Sequence, residues 1–153
     1  MFKMGIVSDS HAHKINIEQV AKQFDDCDAV AHLGDVVSDA KDIAKLIDKP
    51  VYMVRGNCDM FKHDVGEEMT LQLGGRKLLL CHGHRYNVKL GLTRLLYRAE
   101  EVKADIVLFG HTHIPYASDH GGIYLFNPGA LMLGHYGTLA WDENEITEHI
   151  NRL

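Results

Sequence analysis

Short apolar runs that end in small or polar residues recur five times along the chain. Met4-Gly5-Ile6-Val7 leads to Asp9 and His11, Ala29-Val30-Ala31 leads through His32 to Gly34-Asp35, and Val51-Tyr52-Met53-Val54 leads to Gly56-Asn57. Leu78-Leu79-Leu80 ends in Cys81-His82-Gly83-His84, and Ile106-Val107-Leu108-Phe109 ends in Gly110-His111-Thr112-His113. Continuous apolar runs of strand length bounded by Gly predict buried strands that turn sharply at their C-terminal ends. Open α/β sheets place their binding crevices at such ends. A single histidine after a strand is usually a locally satisfied loop residue. Five endings built from Asp, Asn and His predict one shared site.

Between these runs the apolar period lengthens. Ile17, Val20, Ala21 and Phe24 fall at helical spacing, with Asn16 as N-cap. Ser38 is the expected cap of a second helix whose apolar face is Ala40, Ile43, Ala44 and Ile47, ending before Pro50. The longest predicted helix runs from Val88 to Lys103, with Leu92, Leu95, Leu96, Ala99 and Val102 inward. Arg85, Lys89, Arg94 and Arg98 decorate it and read as a solvated face, with phosphate attraction as the alternative. From Gly56 to Thr70 neither period holds, which predicts a loop over the site. Leu71 and Leu73, the turn Gly74-Gly75 and the return Lys77–Leu80 form a hairpin pattern. Ile123–Phe126 precedes the turn Asn127-Pro128-Gly129, and Gly137–Trp141 with Glu145–Ile150 predicts a last hairpin. Crossover units and hairpins together imply mixed sheets. No linker interrupts them, so residues 1–153 are expected to form one domain.

Composition narrows the partners. The hydrophobic fraction is 46% and the formal net charge −5, without the basic balance of a bulk nucleic-acid or anionic-membrane binder. No apolar stretch reaches bilayer length, and Met1-Phe2-Lys3 leads straight into a strand rather than a signal segment, so a cytoplasmic protein is expected. Cys27, Cys58 and Cys81 lack framework spacing and are expected to be free thiols. Eleven histidines, five of them directly after strand endings, point to a metal.

The candidate ligands are Asp9, His11, Asp35, Asn57, His82, His111 and His113. Imidazole with carboxylate suits Mn²⁺, Fe²⁺, Zn²⁺ or Ni²⁺, and the lack of thiolates in the set argues against a closed structural zinc site. Seven donors exceed the needs of one tetrahedral ion. Two divalent ions bridged by a central carboxylate such as Asp35, about 3.5–4 Å apart, account for all of them. His32 is expected to hydrogen-bond behind the ligands, with orienting a ligand as the alternative, and Cys81, alternating with His82, to point into the core. His13, His120 and His149 read as surface residues.

In order along the chain, Asp9-Ser10-His11, Gly34-Asp35, Gly56-Asn57-Cys58-Asp59, His82-Gly83-His84 and Gly110-His111-Thr112-His113 resemble the motif series of the calcineurin-like metallophosphoesterase superfamily. The closing Asn127-Pro128-Gly129 resembles its compact prokaryotic phosphodiesterase branch. The resemblance implies a four-layer α-β-β-α sandwich with two mixed β-sheets. It assigns Asp9, His11, Asp35 and His113 to one ion and Asp35, Asn57, His82 and His111 to the other, Mn²⁺ being expected. It also implies in-line attack of a metal-bridging hydroxide on a small phosphodiester or phosphomonoester, with Asp35, Asn57 and His82 central to catalysis.

Where many members of that superfamily carry a proton-donating His after the ligand Asn, this chain has Cys58, which leaves the general acid to His63, His84 or neither. After Asn-Pro-Gly the family commonly continues with Ser and a Pro-Arg pair, replaced here by Ala130-Leu131-Met132-Leu133-Gly134-His135. A competing reading is a non-catalytic protein-binding scaffold of the same fold, since the eukaryotic retromer scaffold subunit is similar in motif order. The complete set of donors favours the enzyme. An exonuclease is disfavoured by the acidic balance. Met60-Phe61 or Leu131-Met132-Leu133 offers an apolar contact for a homodimer or homotetramer.

Overall fold

The computed structural model describes residues 1–153. Its ten strands are β1 (Phe2–Val7), β2 (Ala29–His32), β3 (Val51–Met53), β4 (Glu68–Leu73), β5 (Arg76–Cys81), β6 (Ile106–Leu108), β7 (Tyr116–His120), β8 (Ile123–Asn127), β9 (His135–Trp141) and β10 (Ile146–Arg152). Three α-helices, α1 (Lys14–Ala21), α2 (Val37–Leu46) and α3 (Thr93–Val102), complete the frame. One sheet has the order β10-β9-β1-β2-β3 and the other β4-β5-β6-β8-β7. In the first, the parallel set β1-β2-β3 ends at the β3 edge and the antiparallel strands β9 and β10 extend the other side; in the second, the parallel centre β5-β6-β8 has antiparallel β4 and β7 on its flanks.

The side-chain period of two divides the apolar strands between two cores. Met4 and Ile6 of β1 join Leu78 and Leu80 of β5, Ile106 and Leu108 of β6, Phe126 and Trp141 in a core between the sheets. On the opposite face of the first sheet, Val7 and Val30 meet Ile17, Val20 and Phe24 from the α1 segment and Ile43 from α2. On the opposite face of the second, Leu79, Cys81, Val107 and Phe109 meet Leu95 and Ala99 of α3. The result is the expected sandwich of helices, two mixed sheets and helix. It also explains why β6 shows no alternation: Ile106, Val107 and Leu108 are all fully buried because both faces of that strand are covered.

Several local expectations change. Asn16 lies inside α1, where its amide donates to the Leu131 carbonyl at 2.7 Å, and the helix starts after His13 without a side-chain cap. Ser38 does not cap α2. The Val37 N–H there is taken by Asp59 Oδ1 at 2.9 Å, so a later loop closes the helix. Val37 joins Ala40 and Ile43 on the buried face of α2, whereas Ala44 is exposed. The third helix begins five residues later than predicted, because Asn87 and Gly91 adopt positive φ (50° and 149°) and interrupt it. It is no longer than α2. The half-buried edge strand β7 escaped the sequence pattern, since Ser118, Asp119 and His120 carry none of the expected strand composition. Within the proposed self-association surface, Met60 and Phe61 are exposed, but Leu131 is completely buried against the first sheet. All three cysteines are free, and Cys81 lies in the core as its alternation with His82 required.

Candidate metal centre

Every candidate ligand lies just beyond the C-terminal end of a strand, and the loops that carry them are forced into unusual backbone. Asp9, His11, Asp35, His111 and His113 all have left-handed φ, between 46° and 69°. Such conformations cost on the order of 1 kcal/mol each for residues with a Cβ and concentrate at functional sites. The sharp turns aim the side chains of separate strands at one point. Close packing does the rest. A Cβ on Gly110 would fall 2.0 Å from Ser8 Oγ, and one on Gly56 would fall 2.2 Å from Asp35 Oδ1, so only glycine lets these loops meet.

Asp9 and Asp35 are buried carboxylates at the centre. Asp9 Oδ2 accepts from Ser8 Oγ at 2.7 Å and from the His111 N–H at 3.0 Å, while Oδ1 faces His113 Nε2 at 3.1 Å. Asp35 Oδ1 accepts the Cys58 N–H at 3.0 Å. Asp35 Oδ2 lies 3.6 Å from His11 Nε2 and 3.4 Å from His82 Nε2. His82 donates from Nδ1 to the Leu33 carbonyl at 2.7 Å, which fixes the tautomer and leaves Nε2 directed at the carboxylates. His111 Nδ1 sits 3.2 Å from His82 Nε2. Three donor groups follow, Asp9-His11-His113, Asp9-Asp35-His82 and His11-Asp35-Cys58, with ligand atoms mutually within 4.8 Å.

Asn57 opens a short turn, is exposed, and its amide meets only Cys58 Sγ at 3.9 Å. Cys58, the exposed thiol, lies beside His11 and Asp35. Of the two histidines considered for proton donation, His63 is exposed and bonds Arg55 at 3.2 Å, whereas the His84 ring is 5.5 Å from His82 and 6.2 Å from His111.

The electrostatics suit cations. Burial alone would raise the Asp35 carboxyl, but the hydrogen bond and charge of His82 and the Cys58 amide outweigh it and hold it well below the usual carboxylate range. Burial opposes charge on His82, yet its bond to Asp35 and the charges of Asp9 and Asp35 raise it. Burial, then the neighbouring His82 charge, pushes His111 down to about 4, which keeps it neutral at pH 7 as a ligand requires. Donor chemistry and geometry both fit divalent metal ions. His11 Nε2 is buried without any hydrogen-bond partner while facing Asp9 Oδ1 at 3.8 Å and Asp35 Oδ2 at 3.6 Å, a costly arrangement that a shared cation would satisfy.

Four supporting residues had no assigned role in the sequence pattern. Ser10 Oγ donates to Asp39 Oδ2 at 2.6 Å and contacts His32 Nε2 at 2.9 Å. Asp39 also accepts the Ala12 N–H at 2.8 Å, pinning the loop that carries His11. Asp59 accepts from Gly56 N–H at 2.9 Å. Asn127 donates from Nδ2 to the Gly110 carbonyl and to Thr112 Oγ1, both at 3.1 Å, bracing the loop of His111 and His113. Asn127 and Asp59 lay inside recognised motifs; nothing in the sequence marked Asp39. The Leu131 and Met132 amides bond the Ser8 and Asp9 carbonyls at 2.9 and 3.2 Å, so the segment after Asn127-Pro128-Gly129 holds the Asp9 loop. As expected, His32 supports rather than joins the donor set.

His32 also makes the fold acid-sensitive. The Gly34 N–H donates to its Nδ1 at 3.2 Å, so the ring is neutral, and burial pushes it down to about 4. The unfolded chain takes up this proton at about pH 6.5, before the folded chain does, so stability falls as pH drops from there toward 4. A loss of about 2 kcal/mol from this residue is expected at pH 5 relative to pH 7. Urea denaturation at both values should show it, and His32→Gln should flatten the difference. An unchanged pH dependence in that variant would remove His32 as the cause.

The calcineurin-like phosphoesterase superfamily domain matches residues 2–140, and the chain belongs to that superfamily of metal-dependent phosphoric ester hydrolases. It is 37% identical over 129 residues to the probable metallophosphoesterase YsnB of Bacillus subtilis, covering 84% of this chain and 74% of that protein. It is 29% identical over 167 residues to the phosphodiesterase YfcE of Escherichia coli, covering 92% and 85%. Among solved structures, a conserved protein of Streptococcus pneumoniae described as a predicted phosphoesterase superposes with a TM-score of 0.84 at 26% identity, covering 99% of this chain and 89% of that one. Vacuolar Protein Sorting 29 of Cryptosporidium parvum shares the fold, with a TM-score of 0.82 at 18% identity and coverage of 99% and 91%.

Proposed function

We propose that this chain is a single-domain cytoplasmic phosphodiesterase using two divalent metal ions, Mn²⁺ first among them, with Asp35 as the shared ligand. The observation that carries the reading is the buried, unpartnered His11 Nε2 set against two buried carboxylates, with His82 and His113 closing the same space. When bound, the ions supply a nucleophile from water at neutral pH and neutralise the phosphoryl oxygens. The chain's part is positioning. Asp9 and Asp35 provide the fixed negative charge, and His11, His82, His111 and His113 provide nitrogen donors. Asn57, on its exposed turn, completes the set. The naming of YfcE as a phosphodiesterase supports a diester substrate. A scaffold role has only the likeness of fold behind it.

The test uses metal-stripped protein with Mn²⁺ restored, assayed on bis-p-nitrophenyl phosphate beside p-nitrophenyl phosphate. Mn²⁺-dependent hydrolysis that favours the diester is expected. No diester turnover with Mn²⁺, Ni²⁺, Fe²⁺ or Zn²⁺ demonstrably bound would overturn the proposal.

A further inference from the structure

The basic residues near α3 do not share one role. Arg98 pairs with Glu68 and Glu101, and Arg85 with Glu67. Lys89 makes no ion pair and stands at the rim of a cleft of about 450 Å³, within the size range of small-molecule sites. The buried side chains of Val88 and Phe109 contribute to its lining, together with Leu92, Ile114 and Tyr116. Thr112, also in the lining, lies between His111 and His113, so the cleft borders the loop that carries two of the donors.

Apart from Lys89, the side-chain polar atoms of this cleft are already occupied. Thr112 Oγ1 accepts from the Ile114 N–H and from Asn127 Nδ2, both at 3.1 Å. The Tyr116 hydroxyl is bonded to His120 Nε2 at 2.8 Å. The rings of Phe109 and Tyr116 pack at 6.3 Å with an interplanar angle of 59°, a tilted pair to which another ring can add. Such a lining reads shape and apolar surface rather than hydrogen-bonding edges.

We infer that this cleft binds an aromatic substituent on the substrate's phosphorus, held by apolar contact, while Lys89 attracts the phosphoryl anion toward the donor set. The inference rests on the phosphodiesterase reading and supplies its substrate class, an aryl- or nucleobase-bearing phosphodiester.

Affinity for phosphonates tests it without turnover. Phenylphosphonate and methylphosphonate are titrated calorimetrically into Mn²⁺-loaded protein of measured metal content. Phenylphosphonate is expected to bind at least about tenfold more tightly, from the extra apolar area buried. Substituting Ile114→Ser with Leu92→Ser, at equal metal content, should lower that ratio at least about threefold. Lys89→Ala should weaken both ligands alike. Equal affinities in the wild-type protein would overturn the aromatic cleft while leaving the metal centre standing. If the metal-loaded protein binds neither phosphonate, the phosphoryl-binding reading itself fails, and the cleft inference with it.

Discussion

Asp35→Asn is expected to empty the centre and to lower diester turnover by at least ~10³-fold, the loss of several kcal/mol of charge stabilisation. The side chain keeps its shape and loses its charge. Asp35 belongs to two of the three donor groups and sits between the nitrogens of His11 and His82, at 3.6 and 3.4 Å. Its other oxygen is held by the Cys58 N–H at 3.0 Å, so it cannot rotate away without releasing the turn that follows Gly56. Both ions should therefore weaken together. His113→Ala removes a donor from the Asp9 side only and should spare part of the second site. Metal content by mass spectrometry, with circular dichroism to confirm folding, distinguishes the two variants. Equal occupancy in wild type and Asp35→Asn would sink the bridging assignment.

That Asp35 stood out in the sequence, whereas Asp39 did not, shows what a linear pattern carries. Asp35 follows a buried strand and a glycine, a local arrangement that burial on both faces of β2 imposes. The same logic made the central strands legible, because strands covered on both faces cannot avoid continuous apolar runs. Asp39 sits in the first turn of α2 and becomes part of the centre only through Ser10 and Ala12, 29 and 27 positions away in sequence. Helix ends were hidden for a related reason. The start of α2 is closed by Asp59 from another loop, and no propensity at Ser38 reports a partner so distant. Strand β7 stayed hidden because an edge strand needs only one covered face and one neighbour, here β8. The left-handed backbone at Asp9, His11, Asp35, His111 and His113 was invisible too, since positive φ is uncommon even for Asp and His, which adopt it more often than most residues. Packing against neighbouring loops over-determines those conformations.

Gly110→Ala should be the most damaging single methyl in the protein. The added Cβ would lie 2.0 Å from Ser8 Oγ and 2.8 Å from Asp9 Oδ2. Neither neighbour has room to give. Ser8 Oγ donates to that same Asp9 oxygen at 2.7 Å, and Asp9 Oδ2 also accepts the His111 N–H at 3.0 Å. The glycine itself is fixed by its N–H to the His82 carbonyl at 2.9 Å and by its carbonyl from Asn127 at 3.1 Å. The methyl must push the β1 exit loop away from the β6 exit loop, which separates Asp9 from His111 and His113. A stability loss of about 1–3 kcal/mol is expected from overpacking. Metal affinity should fall about 10–100-fold, as when supporting contacts of a site are lost. Urea denaturation of the metal-free variant measures the first effect and metal titration the second. Ser8→Gly combined with Gly110→Ala removes the nearest obstruction, so the pair should recover part of the stability lost by Gly110→Ala, a coupling that additivity excludes for independent sites. Strictly additive losses would mean that the glycine is required for a reason other than the close approach of these two loops.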